Sequence, residues 1–135
     1  MARGGKAYDP IPERTNATSG LVVDAAFAVH TTFGPGLLES TYVKCLAHEL
    51  RKRGAHVDLQ VPLPIWDDGM EIEGAYRIDL LVNDEVVVEV KSVLQIHCVH
   101  QAQILSYLKL SGRRVGLLIN FNVARLKDGI HRFAN

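Results

Sequence analysis

Three charged residues stand where an apolar strand would avoid them. The stretch YRIDLLVNDEVVVEVKSV, residues 76 to 93, reads as two strands joined by a short polar turn, and it carries Asp79, Glu89 and Lys91. Strand side chains alternate, so Glu89 and Lys91 share one face, about 6.6 Å apart along the strand, while Val86, Val88 and Val90 take the other. The loop decides what lies opposite. If Asn83, Asp84 and Glu85 form a three-residue loop, Val82 pairs with Val86 and Asp79 falls across from Glu89. A two-residue loop would set Asp79 opposite Val88, on the wrong face. With the odd loop, two carboxylates with Cβ atoms about 5 Å apart and one ammonium converge on one patch.

Carboxylates that close repel unless a cation lies between them. A hard divalent ion such as Mg²⁺ accepts oxygen ligands of this kind and keeps several waters. A lysine beside it can orient or help deprotonate a metal-bound water, or neutralise charge growing on a phosphate. That inventory suits metal-assisted phosphodiester hydrolysis. The plainer reading is a solvated strand face with a Lys–Glu pair, since E-x-K is common in strands.

Further candidates sit on helical segments. Glu39 heads a stripe of Tyr42, Val43, Leu46 and Leu50, so it points inward or toward a cleft, or else caps the first turn after Gly36. Gln103 and Tyr107 are four apart and share a helix face. They could hold a phosphate or a base, or simply form a satisfied surface pair. His100 precedes Gln103 by one turn and, like His30 and His97, reads either as a cleft residue titrating near neutral pH or as a structural histidine.

The elements that must position these residues follow from periodicity. SGLVVDAAFAVHTTFG reads as a helix with Ser19 as N-cap and Gly34 as stop, and a second helix runs from about Leu37 to Arg53, ending at Gly54. AHVDLQVPLPIW alternates as a strand that Pro62 and Pro64 make an edge or an irregular one. DDGM is a turn, the charged hairpin follows, and HCVHQAQILSYLKLSG is a helix closed by Gly112. RVGLLINF, 114–121, is a strand buried on both faces, and a last short strand is expected in the tail. The fold class is α/β: one domain with a mixed central sheet flanked by helices, and a right-handed crossover if the hairpin and 114–121 lie parallel.

Composition sets the limits. A chain of 135 residues fits one domain, and residues 1–17, polar and rich in Gly and Pro, read as a flexible N-terminal arm. Apolar residues make up 47% and no run approaches the ~18 residues that span a bilayer, so a cytoplasmic protein without a membrane partner is expected. Fifteen basic and 15 acidic residues give zero formal charge, which argues against a wholly basic nucleic-acid surface but not against a local groove. Arg113, Arg114, Arg125 and Lys127 are candidates for such a groove. Cys45 and Cys98 read as reduced core thiols, and Trp66 as core or rim packing.

Together these residues carry a family resemblance. Asp79, Glu89 and Lys91, as D-x₉-E-x-K, resemble the core of the PD-(D/E)XK nuclease superfamily; Glu39 resembles its extra acidic residue, and QILSY, Gln103 to Tyr107, its RecB-like Q-x-x-x-Y element. GPGLLESTY, with Gly36, Glu39 and Tyr42 in register, resembles the signature of the GxxExxY proteins, and YRIDLLV, VEVKSV, HQAQILSYLKLSG and GLLINFNVARLKDGI resemble that family's later blocks. The resemblance implies a restriction-endonuclease-like domain over residues 18–135. It implies a Mg²⁺-dependent nuclease, with Mn²⁺ as substitute, hydrolysing DNA or RNA by in-line attack of a metal-bound water. Asp79, Glu89 and the Val90 carbonyl would hold the metal and Lys91 would position the water. Glu39 would assist through the metal or its water, Gln103 would contact substrate or Lys91, and Tyr107 and His100 would line the substrate site. A homodimer or larger assembly stays open. The alternative is an inactive nucleic-acid- or protein-binding module that keeps the nuclease fold.

Overall fold

Pro12 sets the start of the first helix, because its fixed φ suits helix entry and the first turn has no intrahelical acceptor to lose. The computed structural model describes residues 9–74 and 76–135. Helix α1 (Glu13–Phe33) places Glu13 in its first turn, where the helix dipole favours a carboxylate. It therefore begins ahead of the expected cap: Ser19 is buried inside the helix, and residues 13–17 are helical, not part of an arm. A long-range contact draws them in, since Arg14 Nε and Thr15 Oγ1 both donate to Glu85 Oε1 at 2.8 Å. Residues 9–12 of the expected arm precede the helix, and residues 1–8 lie outside the described residues.

Gly34 closes α1 by donating its N–H to the His30 carbonyl. Helix α2 (Glu39–Lys52) follows and buries Tyr42, Val43, Leu46, Ala47 and Leu50, the stripe legible at helical spacing. Strand β1 (Val57–Pro62) is separated from β2 (Ile65–Asp67), so the run from Ala55 to Trp66 is two strands, not one. Pro62 and Pro64 bring no N–H to a ladder, and the chain leaves the main sheet between them. β2 pairs instead with β3 (Met70–Ile72), an unexpected small hairpin turning at Asp68 and Gly69, both at positive φ.

The main sheet has the order β1-β4-β5-β6-β7, with β4 (Arg77–Val82), β5 (Val86–Lys91), β6 (Val115–Asn120) and β7 (Ile130–Ala134). β5 and β6 are parallel, joined through α3 (Cys98–Ser111), and the other neighbours are antiparallel. Every residue of β6 is buried, as its unbroken apolar run requires. One cluster fills the space between the sheet and α1 and α2, through Val22, Tyr42, Leu46, Leu80 and Val88. A smaller one lies under α3, through Ile104, Leu108, Val87 and Leu118.

Gly116 lets α3 approach β6. A Cβ there would stand 3.0 Å from Ile104 Cδ1 and 3.2 Å from Leu108 Cδ2. Gly116→Ala is therefore expected to lower stability by about 1–3 kcal/mol through overpacking, read as a lower thermal midpoint. The cysteines are both free, but Cys45 is half-buried and Cys98 is exposed at the start of α3, so Cys98 is not a core thiol. Trp66 is also exposed, on the short β2–β3 hairpin where little packs against it.

Candidate active site

The β4–β5 hairpin carries the site. Val82 pairs with Val86 across the loop Asn83-Asp84-Glu85, and Asn83 and Asp84 hold φ of 53° and 58°. Asn and Asp are among the side chains that best tolerate this left-handed region. The odd loop sets the register that continues through Leu80 and Val88 and carries Asp79 across from Glu89. There the carboxylates stand in for ladder acceptors. The Asp79 N–H donates to Glu89 Oε2 at 2.9 Å, and the Val90 N–H donates to Asp79 Oδ2 at 2.9 Å. Each carboxylate is thus fixed by the other strand's backbone through one oxygen.

Burial dominates the electrostatics. Glu89 is only 3% exposed, and burial pushes its carboxyl up to about 8, with the negative charge of Asp79 adding to the effect. Asp79, half-buried, is also raised, chiefly by burial and partly by Glu39, against the Val90 hydrogen bond and the Lys91 charge. A buried carboxylate pair that resists ionisation is what a cation would relieve. Among the described residues no three His, Cys, Asp or Glu side chains cluster to hold an ion. Two carboxylates nevertheless fit a hard divalent ion of the Mg²⁺ type, which is held by one or two carboxylates and keeps waters for its remaining positions.

Glu39 is the first residue of α2, presented by the GPG turn. Gly36 at φ 106° is a conformation that side chains rarely adopt. Tyr42 braces this turn: its hydroxyl donates to the Gly34 carbonyl and accepts from the Leu37 N–H, while its ring stacks on Phe121 at 4.5 Å. Ser92, next after Lys91, ties the turn to β5. Its Oγ donates to the Leu37 carbonyl at 2.7 Å and its N–H to Glu39 Oε2 at 3.3 Å. Tyr42→Phe keeps the stacked ring and strands two backbone groups. It is expected to lower stability by about 1–3 kcal/mol in thermal unfolding.

The site residues border two cavities. Asp79 and Glu39 line a cleft of about 540 Å³ on the α2 side, with Leu37, Ser40, Gln60 and Ser92. Lys91 lines a cavity of about 550 Å³ on the α3 side, with His100, Gln103, Tyr107 and Tyr76. Glu89 lies buried between them and lines neither. Gln103 Nε2 donates to Tyr107 Oη at 3.1 Å, so the pair is both hydrogen-bonded and directed at the Lys91 cavity. His100 is cavity-lining and structural at once, because its Nδ1 accepts the His97 N–H at 3.0 Å at the start of α3. His30 is structural, with Nε2 2.8 Å from the Val123 carbonyl. Arg113 and Arg114 are spent on Asp84, Ser111, Asn135 and Asp9, leaving Arg125 and Lys127 as the exposed members of that basic group.

Sequence reasoning missed Ser92, Asn120 and Gln60. Buried Asn120 exchanges hydrogen bonds with the Val93 backbone through both side-chain atoms and so holds the exit from β5. Its signal was a lone amide in the apolar run GLLINF. Ser92 was flagged only by adjacency to Lys91, and Gln60 only by a polar residue amid the Val and Leu of β1.

A mixed sheet bearing paired carboxylates and a lysine on one hairpin, with an acidic residue on a preceding helix, defines a nuclease-like class of site. The family model for the PD-(D/E)XK nuclease superfamily matches residues 16–133, from within α1 to within β7, and the chain belongs to that superfamily. No curated protein and no solved structure matches it. No helix among the described residues is long and apolar enough to cross a membrane.

Proposed function

We propose that the protein is a divalent-metal-dependent phosphodiesterase that hydrolyses DNA or RNA, of the GxxExxY branch suggested by GPGLLESTY. The observation that carries this reading is the interlocked pair Asp79–Glu89, two carboxylates held by each other's strands in the sheet end beside Lys91. Asp79 and Glu89, with the Val90 carbonyl, would hold Mg²⁺ or Mn²⁺. The bound ion would supply a polarised water and charge neutralisation at the scissile phosphate. Lys91 holds a positive charge near both carboxylates and faces the α3-side cavity, where it orients the attacking water and offsets charge developing on phosphate oxygens. Glu39, held by Ser92, acts from the opposite cleft, while the Gln103–Tyr107 pair and His100 line the path of the substrate.

The first test is binding of the ion. At an ion concentration 100-fold above its Kd, a ligand of the native state adds about 2.7 kcal/mol of stability. Millimolar Mg²⁺ or Mn²⁺ at pH 8 is expected to raise the thermal midpoint of the wild type and not that of Asp79→Asn. A midpoint that ignores both ions would transfer the weight to a binding module that keeps the fold without turnover.

A further inference from the structure

Gln60 has a backbone that its place in a strand does not explain. It lies within β1 at φ 51°, a left-handed conformation that non-glycine residues seldom adopt. It is not a bulge, which would slip the pairing by one residue. The register is the same on both sides of it, Leu59↔Leu80 before and Val61↔Ile78 after, and Gln60 and Asp79 form the one level between them that does not pair.

What changes at this level is the face. Residues two apart in a regular strand point the same way. Yet Leu59 packs into the cluster under α1 and α2, and Val61 into the cluster under α3. On the neighbouring strand Leu80 belongs to the first cluster and Ile78 to the second. Both strands of the edge turn over together at the Gln60–Asp79 level. Alternation continued from Leu81, which packs under α3, would aim Asp79 at the α3 side. Instead Asp79 lines the α2-side cleft with Glu39, and Gln60, exposed, lines that same cleft. The Gln60 amide also favours the Asp79 carboxylate, less than the Val90 hydrogen bond does.

We propose that Gln60 is a positioning residue, whose left-handed backbone turns the β1–β4 edge over and delivers the Asp79 carboxylate into the Glu39 cleft. Strain held at one residue of a sheet that otherwise pairs regularly is put to use at a site. The geometric claim stands on its own; its consequence for metal binding rests on the phosphodiesterase reading above.

Three variants separate backbone from side chain. Gln60→Gly keeps the positive φ and removes the amide. Gln60→Val resists that φ by its branched Cβ, and Gln60→Ala resists it less and carries the test if the valine variant does not fold. The readout is the Val90 amide resonance in a proton–nitrogen correlation spectrum without metal, since that N–H donates to Asp79 Oδ2, with Asp79→Asn marking its shift when the bond is altered. Expected are a wild-type-like Val90 resonance in Gln60→Gly and a displaced one in Gln60→Val and Gln60→Ala. Mn²⁺ affinity, by calorimetry, is expected to fall in the displaced variants by about 10–100-fold, as for other groups that orient a ligand. Folded valine and alanine variants with the wild-type resonance would overturn the proposal. So would a glycine variant displaced as far as they are, since the amide and not the backbone would then place Asp79. A wild type that binds no Mn²⁺ would remove the metal reading and leave the resonance test standing.

Discussion

Lys91→Ala is expected to lower phosphodiester cleavage on the order of 10³-fold while leaving the protein folded. Lys91 is half-buried at the end of β5, and its ammonium counters both site carboxylates from the α3 side. Removing it takes away a preorganised positive charge where negative charge grows on the phosphate, in surroundings that screen it poorly. No core packing is lost, because the side chain ends in a cavity and not in either apolar cluster. Arginine at this position keeps the charge but not its compactness, so Lys91→Arg should recover little of the rate. The check is the single-turnover rate with Mg²⁺ for wild type and both variants, alongside circular dichroism. Wild-type cleavage by a folded Lys91→Ala protein would remove Lys91 from the chemistry.

The second large effect is on stability and runs with pH. The carboxyl of Glu89 is raised from an ordinary 4.5 to about 8, mainly by burial, and Asp79 moves in the same direction. A raised acid is one that the folded state prefers protonated. Its contribution is present in full below the unfolded value and is lost as pH rises through the folded one. The metal-free protein is therefore expected to lose about 5 kcal/mol between about pH 4.5 and pH 8, at 1.36 kcal/mol per unit of raised pKa. Glu89→Gln cannot ionise and should flatten the dependence, making the variant the more stable protein at pH 8 in EDTA even as it loses cleavage. Mg²⁺ should restore the wild type above pH 8, because the cation then balances the charge that burial penalises. Urea unfolding at pH 5.5 and pH 8.5, with EDTA or Mg²⁺, reads all three. Equal stability of metal-free wild type at both pH values would contradict the buried-pair account.

Local signals were legible where local chemistry decides the outcome. Three-residue hairpin loops are common, so the approach of Asp79 to Glu89 was legible as one of two alternative registers. The apolar run of β6 and the stripe of α2 were equally plain. Failures came where a distant residue decides. Glu85, far along the chain, holds Arg14 and Thr15 in α1, which the polar composition of the N-terminal region conceals. Alternation through Val57, Leu59, Val61 and Leu63 suggested one face, whereas the left-handed Gln60 divides it between two. Ser92 and Asn120 act through backbone groups of the exit from β5, and no spacing rule points to such partners.

The most direct test of the central claim is cleavage itself. Purified wild-type protein would be incubated with end-labelled single-stranded and duplex DNA and RNA, in Mg²⁺, Mn²⁺ or EDTA, beside folded Glu89→Gln. The predicted result is metal-dependent cleavage of at least one substrate that is absent in EDTA and absent in the variant. Cleavage that persists in EDTA, or equally in Glu89→Gln, would contradict the site; no cleavage of any substrate would contradict autonomous nuclease activity of this chain.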